Sequence, residues 1–188
     1  MFTIRPARKE ESFVISDLIL KSDGGVLRWL VGDAKTLAWL MCGDETIFSY
    51  KNIIVVEAGV GGIVGVSFGY DSSTCFRSQL PTLKLLIRLI GWRRFGFLLF
   101  NLLRLSWKTR IGSNDFYVSN TYIIPECRNL GISLCIGRYW RSLYPDKKIV
   151  CDVLEENPWA ERLHRSGCLL RRSWRFKGKT YLRFIKKL

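Results

Sequence analysis

The segment Pro125–Ser133 combines the residue types and the position in the chain that suit phosphate binding. It follows an aromatic and β-branched stretch typical of a strand and precedes 132–143, whose pattern is typical of a helix. The first N–H groups of a helix lack partners within it and carry the positive end of its dipole, and a glycine lets an anion approach them. Arg128 adds a charge suited to pyrophosphate. The turn therefore predicts an anion site, with simple helix capping by Gly131 as the alternative.

Two stretches of the second half resemble the acetyl-coenzyme A motifs of the GNAT family of N-acetyltransferases. YIIPECRNLGIS, residues 122–133, is similar to the Arg/Gln-x-x-Gly-x-Gly/Ala motif together with the strand before it. NPWAERLHRSGCL, residues 157–169, is similar to the family's Asn-x-x-Ala-x-x-Leu-Tyr-x-x-x-Gly-Phe segment. A weaker likeness extends to TIRPARKEE and to NIIVVEAGVGGIVGVSFGY nearer the start of the chain.

The resemblance implies an acyl-CoA N-acyltransferase fold, which is an α/β (α+β) arrangement with a mixed, mostly antiparallel central sheet flanked by helices. It also implies acetyl-CoA as cosubstrate and direct attack of a primary amine on its thioester. Within this expectation, Tyr122 and Ile123 bond the pantetheine arm through their main chains, and Asn157 bonds it as well. The residues expected to wrap the pyrophosphate are Arg128, Asn129, Leu130, Gly131, Ile132, Ser133 and Leu134.

The acid and the base of the reaction are open at this stage. His164 stands where the family often has the tyrosine that protonates the departing thiolate, and a free imidazole has a pKa of about 6.5. The alternative is that His164 only flanks a helix end. Asp152 matches a position where some family members carry a general base, although a solvated or salt-bridged aspartate is equally ordinary. Glu57, on an earlier strand, is a reserve candidate for the base.

The six cysteines and the single histidine do not form a metal-binding pattern. No Cys-x-x-Cys pair occurs, so we expect no metal site and reduced thiols in a cytoplasmic protein. Cys127 and Cys135 flank the phosphate turn, but direct attack requires no thiol nucleophile. The stretch from Met1 to Glu11 lacks the apolar core of a secretory signal.

The formal net charge of +14 favours polyanionic partners such as a nucleotide cofactor, nucleic acid or an anionic membrane. Aromatic residues alternate with the basic residues between Arg162 and Lys187, which could indicate a nucleic-acid face. Alternation along two core strands explains those aromatics equally well, so nucleic acid is not the favoured partner.

The elements that must position these residues follow from the hydrophobic pattern. The order is βααββααβαβαββ, around one sheet and in a single domain over 1–188. Strands are predicted at 2–5, 53–57, 63–68, 116–124, 148–154, 169–176 and 180–185. Helices are predicted at 9–21, 26–41, 132–143 and 157–166, and two amphipathic helices at 79–108 with a break near Gly91.

The segment 79–108 exceeds the core of the resembled family, so it is interpreted as a helical insertion. Its basic residues interrupt every window of the roughly 20 apolar residues that a spanning helix needs. Packing on the core is the favoured interpretation, and contact with a membrane surface or formation of a homodimer is the alternative. The acceptor stays open between a small amine and a peptide or protein amine. An acyl-CoA-binding module without turnover is the alternative function.

Overall fold

The computed structural model describes residues 2–22, 25–59, 61–92, 95–96 and 111–186. Seven strands of the described chain form one sheet in the order β1-β2-β3-β4-β5-β7-β6. They are β1 Phe2–Pro6, β2 Ile53–Ala58, β3 Ile63–Asp71, β4 Asp115–Ile123, β5 Lys148–Leu154, β6 Leu169–Phe176 and β7 Lys179–Lys186. Only the central pair β4–β5 is parallel, and the other pairs are antiparallel. The predicted mixed, mostly antiparallel sheet is confirmed.

The helices lie on both faces of this sheet. They are α1 Ser12–Ser22, α2 Val26–Val31, α3 Ala34–Cys42, α4 Ser72–Ile90, α5 Ile132–Leu143 and α6 Pro158–Arg165. α1, α3 and α4 pack on one face, where Ile15, Leu37 and Val55 are fully buried. α5 covers the other face, and its Trp140 packs on Phe116 with the ring centroids 4.8 Å apart. Fully burying one such side chain contributes about 1.5–3 kcal/mol, so these two layers hold the sheet between them.

The predicted helix over 26–41 is wrong as a continuous element, because it breaks at Gly32. Gly32 has φ 90°, a conformation that ends α2 and that glycine adopts without strain. The Asp33 carboxylate then accepts a hydrogen bond from the main-chain N–H of Thr36 at 2.7 Å and begins α3. A glycine followed by an N-cap residue is a stop and a start signal, and the apolar pattern across it concealed both.

The helix predicted from Gln79 begins about two turns earlier, at Ser72. Asp71 ends β3 and caps α4, since its carboxylate accepts from the main-chain N–H of Thr74 at 2.7 Å. α4 ends at Ile90, and Gly91 with φ 77° provides the predicted break. The second predicted helix falls largely on 97–110, outside the described residues. None of the helices described is both long enough and apolar enough to cross a bilayer.

Candidate active site

The two parallel strands in the middle of the sheet separate after four residue pairs. β4 pairs with β5 from Asp115–Lys148 to Val118–Cys151, and the described residues form no further pair between them. Beyond that point β4 stays paired with β3 up to Ile123, and β5 stays paired with β7. A gap therefore opens between β4 and β5 next to Val118 and Cys151. Beyond these two residues the strands do not pair with each other.

A β-bulge lies on β4 at the point where this gap opens. Phe68 of β3 pairs with Asn120, and Gly69 pairs with Val118, so Ser119 is left out of the pairing. A bulge places an extra residue on one strand and redirects the local main chain, a feature frequent beside active sites.

The alternation of the main chain decides which residues of β4 face the gap. The N–H of Ile124 donates to the carbonyl of Val64 on β3 at 2.9 Å. In an antiparallel ladder, successive residues turn their N–H and C=O groups to opposite sides. The main chain of Tyr122 therefore faces β3, whereas those of Ile123 and Thr121 face the gap. Arg128 Nε donates to the outward carbonyl of Ile123 at 3.1 Å, which agrees with this direction.

The gap leads to a row of unpaired main-chain donors at the start of α5. The N–H of Arg128 donates to Pro125 O, and that of Leu134 donates to Gly131 O. The five N–H groups between them donate to no other described residue. They belong to Asn129, Leu130, Gly131, Ile132 and Ser133. Together with the positive end of the helix dipole, these donors form a cradle for an anion.

The mouth of this cradle is open. Apart from its two chain neighbours, no described residue has an atom within 4 Å of the position that a Cβ on Gly131 would occupy, so no described side chain fills this space. Gly131 has φ 76° and Asn129 has φ 65°, left-handed conformations that turn successive N–H groups to one side. Leu130 and Leu134 are 58% and 63% exposed at its edge. They offer apolar contact to the non-phosphate part of a ligand.

Arg128 lies beside the cradle and against β4. Its guanidinium is 5.8 Å from the centre of the Tyr122 ring. The contact and the hydrogen bond to Ile123 hold the positive charge at the end of the gap, where a pyrophosphate would meet it.

Three side chains that the sequence did not single out fix α5 to the sheet. Trp140 Nε1 donates to Ser67 Oγ at 2.9 Å, and Ser67 Oγ is 2.9 Å from Thr121 Oγ1. Ser67 is fully buried on β3, while Trp140 is almost fully buried on α5. The chain of bonds links the helix that carries the cradle to the strand that borders the gap. A serine inside a buried apolar strand was the only sequence signal for it.

Asp152 occupies a buried ion pair on the opposite side of the gap. Arg183 donates to both of its carboxylate oxygens, and the hydroxyl of Tyr117 donates to Oδ2 at 2.9 Å. The side chain of Asp152 is only 4% exposed. Because three donors already engage the carboxylate, it is poorly placed to accept a proton from an incoming amine.

Glu57, the reserve candidate, is also engaged. It lies on β2 and forms an ion pair with Arg5, which in turn holds Glu11. The hydrogen bond from Arg5 lowers the pKa of Glu57 below its usual range, which makes the carboxylate a weaker base.

His164 lies on α6, the helix that follows β5, and Asn157 is the N-cap residue of the same helix. Asn157 caps the helix by accepting from the N–H of Trp159 at 3.0 Å, so its amide N–H₂ group stays available to a ligand. The His164 ring is exposed and contacts Phe184 edge to face at 6.4 Å between centroids. It makes no hydrogen bond to the part of the chain that the structure describes.

Aromatic residues from α2 and the β6–β7 hairpin cluster beside the end of β5, where they pack with Leu154. Trp174 stacks on Tyr181 at 4.4 Å between centroids, and Trp29 of α2 contacts Phe176 at 5.3 Å. The Nε1 of Trp174 is buried without a hydrogen-bond partner. At this cluster α2 meets the terminal β6–β7 hairpin.

Structural comparison identifies the architecture. An N-acetyltransferase from Staphylococcus aureus matches with a TM-score of 0.69 at 16% identity, over 98% of this chain and 100% of that one. A histone acetyltransferase HPA2 and related acetyltransferase from Corynebacterium glutamicum matches with 0.62 at 17% identity, over 98% and 95% of the two chains. The Drosophila melanogaster polyamine N-acetyltransferase matches with 0.61 at 13% identity, over the whole of both chains.

These likenesses define the fold. The chain has the acyl-CoA N-acyltransferase fold of the GNAT type, as the resemblance implied. A comparison of the sequence with protein-family models and with curated proteins found no significant match.

Proposed function

We propose that this protein is an N-acetyltransferase that transfers the acetyl group of acetyl-CoA to a primary amine. The observation that carries the proposal is the row of five unpaired main-chain N–H groups from Asn129 to Ser133 at the open mouth of α5. An anion of the size of a pyrophosphate satisfies several such donors at once, without any change in the fold.

The position of the cradle supports acyl-CoA over a simple phosphate. It adjoins the gap between β4 and β5, and the main chains of Thr121 and Ile123 face that gap. A pantetheine arm carries amide groups, so it can bond an unpaired strand edge as another strand would. We therefore assign the main-chain contacts to Thr121 and Ile123 rather than to Tyr122. Asn157 contributes its free amide N–H₂ from the other side.

Bound acetyl-CoA supplies an activated thioester, and the residues of the chain position it. The bulge at Ser119 lies where the gap opens, so its main chain can stabilise charge on the thioester oxygen. The amine approaches from the aromatic face formed by Trp29, Trp174 and Tyr181. Since the reaction is direct attack, most of the rate enhancement comes from holding the two reactants together.

The experiment compares two substitutions that differ only in charge. Asparagine and aspartate both tolerate the left-handed conformation of Gly131, and their side chains have almost the same size. We expect Gly131→Asp to bind acetyl-CoA at least tenfold more weakly than Gly131→Asn in calorimetric titrations, because its carboxylate repels the pyrophosphate. S-acetylpantetheine, which lacks the phosphates, serves as the control ligand. Equal affinities of the two variants for acetyl-CoA would show that the cradle at Gly131 does not bind the pyrophosphate.

A second candidate function is an acyl-CoA-binding module without turnover. It is favoured by the engagement of both candidate bases, since Asp152 is bound by Arg183 and Tyr117 and Glu57 by Arg5. Thioester consumption with a panel of small amines, peptide N-termini and lysines separates the two functions. Tight binding of acetyl-CoA with no transfer to any amine would support the binding module and contradict the proposed transferase activity.

A further inference from the structure

A line of large apolar side chains lies exposed on α4. Phe76 is 79% exposed and Leu80 is 62% exposed, one helical turn apart on the same side. Leu83 and Ile87 follow on the same side of the helix at about 100° per residue, but they are half-buried and pack against the core. Trp92, just beyond the end of the helix, is 74% exposed. Single exposed apolar residues are ordinary, but three large ones on and next to one helix mark an interaction surface.

Positive charges flank this line without acidic residues among them. Arg77, Lys84 and Arg88 are exposed on α4, at about 80–120° around the helix from Phe76. The sequence contains no aspartate or glutamate from Ser72 to Arg110. Glu45 lies beside the line and lines a cavity of about 330 Å³ together with Arg77. We define the α4 surface as Phe76, Leu80 and Trp92 with these three basic residues.

The charges around the α4 surface favour one kind of partner over the others that an apolar surface can bind. A second copy of the chain would bring two predominantly basic surfaces together, and like charges oppose such contact. An anionic lipid surface offers complementary charge and accepts apolar side chains at the same time. Phenylalanine, leucine and tryptophan beside lysine and arginine are the composition of helices that lie in a membrane interface.

We propose that the α4 surface docks the protein onto an anionic membrane surface. Phe76, Leu80 and Trp92 enter the boundary between headgroups and acyl chains, and the basic residues contact lipid phosphates. α4 packs on one face of the sheet, whereas α5 with the cradle packs on the other. The cradle therefore stays open to solvent while the protein is docked.

The experiment is flotation of the full chain with vesicles of phosphatidylcholine alone or with about one third phosphatidylglycerol. We expect binding to the anionic vesicles that weakens steeply with added salt. The variant Phe76→Ser/Leu80→Ser/Trp92→Ser should bind the anionic vesicles at least tenfold more weakly than the wild type. The matched control Leu143→Ser/Leu169→Ser/Leu170→Ser replaces leucines that are 50%, 54% and 49% exposed on other elements, and it should bind like the wild type.

A second pair of variants tests the charges. Arg77→Gln/Lys84→Gln/Arg88→Gln should reduce the preference for anionic vesicles at least tenfold. Lys148→Gln/Lys179→Gln/Lys186→Gln removes the same charge from exposed lysines of β5 and β7 and should reduce it far less. Circular dichroism checks that each variant is folded.

Three results would overturn the proposal. The first is equal recovery of the protein with neutral and anionic vesicles. The second is binding by the triple serine variant of α4 that matches its control. The third is a wild-type protein that does not bind vesicles but sediments as a dimer, together with a triple serine variant of α4 that sediments as a monomer. That result would assign the surface to contact with a second copy of the chain.

Discussion

Arg183 donates two hydrogen bonds to Asp152, from Nε to Oδ1 at 2.7 Å and from Nη2 to Oδ2 at 2.6 Å. The two residues are directly opposite on β7 and β5, beside the gap, and both side chains are almost completely buried. Burial by itself would lower the pKa of Arg183, but the carboxylate reverses this and raises it, so the pair stays charged. The pair stabilises the edge of the gap and does not supply a mobile proton acceptor.

Asp152→Leu should therefore lower the free energy of unfolding by about 3–5 kcal/mol, because it leaves the buried charge of Arg183 without its partner. The triple variant Asp152→Leu/Arg183→Met/Tyr117→Phe removes all three hydrogen-bonded polar side chains together and should recover most of this loss. Urea unfolding measures both values.

The same variants separate a structural role from a catalytic one. If the pair is structural, the triple variant regains kcat per folded molecule as well as stability. A variant that regains stability but keeps a loss of kcat larger than about 100-fold would identify Asp152 as the base after all, since general bases contribute about 10²–10⁴.

A second ion pair makes stability depend on pH. Burial would raise the pKa of Asp71, but the ammonium of Lys147 and the N–H of Thr74 outweigh it and hold the pKa well below its usual range. Since the folded pKa is depressed, the carboxylate stabilises the fold above the unfolded value of about 3.9. That stabilisation is lost as pH falls through the folded pKa.

We expect Asp71→Asn to cost about 1.5–3 kcal/mol at pH 7, where the asparagine can still cap α4 but no longer pairs with Lys147. The difference from the wild type should shrink as pH is lowered from about 5 to about 2. Asp146→Asn, at an exposed neighbour of the same lysine, is the control and should change little. A constant difference across this range of pH would contradict the assignment.

The sequence predicted the second half of the fold more accurately than the first. The helix over 132–143 and the strand over 148–154 were predicted to the residue, because a proline, a glycine and a clear change of hydrophobic period bound them. The break at Gly32 was missed because the apolar pattern continues across it. The early start of α4 was missed because its N-cap, Asp71, is also the last residue of a strand.

The cradle was predictable and the side-chain network around it was not. Gly131 and its neighbours follow local rules for helix ends, which a sequence displays directly. The engagement of Asp152 by Arg183 depends on a cross-strand register between residues 31 positions apart. Pattern and composition contain no information on which arginine lies opposite, so a free and a salt-bridged aspartate were indistinguishable.

His164 provides a direct test of acid catalysis. Its ring is exposed on α6, the helix that follows β5, and the ring makes no hydrogen bond to another described residue, so it is available to a ligand. We expect His164→Phe to lower kcat at least tenfold with little change in KM, because phenylalanine keeps a ring but cannot donate a proton. His164→Tyr should restore much of the rate through its phenol. Equal kcat values for the two variants would show that His164 only flanks the end of the helix and does not act as the general acid.

The cysteines beside the cradle test whether the acetyl group passes through the protein. Cys135 is exposed in the first turns of α5, and Cys127 is half-buried before it. A thiol nucleophile would form an acetyl-enzyme, and its removal would abolish turnover. Direct attack predicts instead that Cys127→Ser/Cys135→Ser keeps kcat within about threefold of the wild type, since serine differs little in size and the reaction uses no enzyme nucleophile. Initial rates at varied acetyl-CoA and amine should give intersecting lines, whereas parallel lines, or an acetylated cysteine in the mass spectrum of the enzyme without amine, would establish the covalent route.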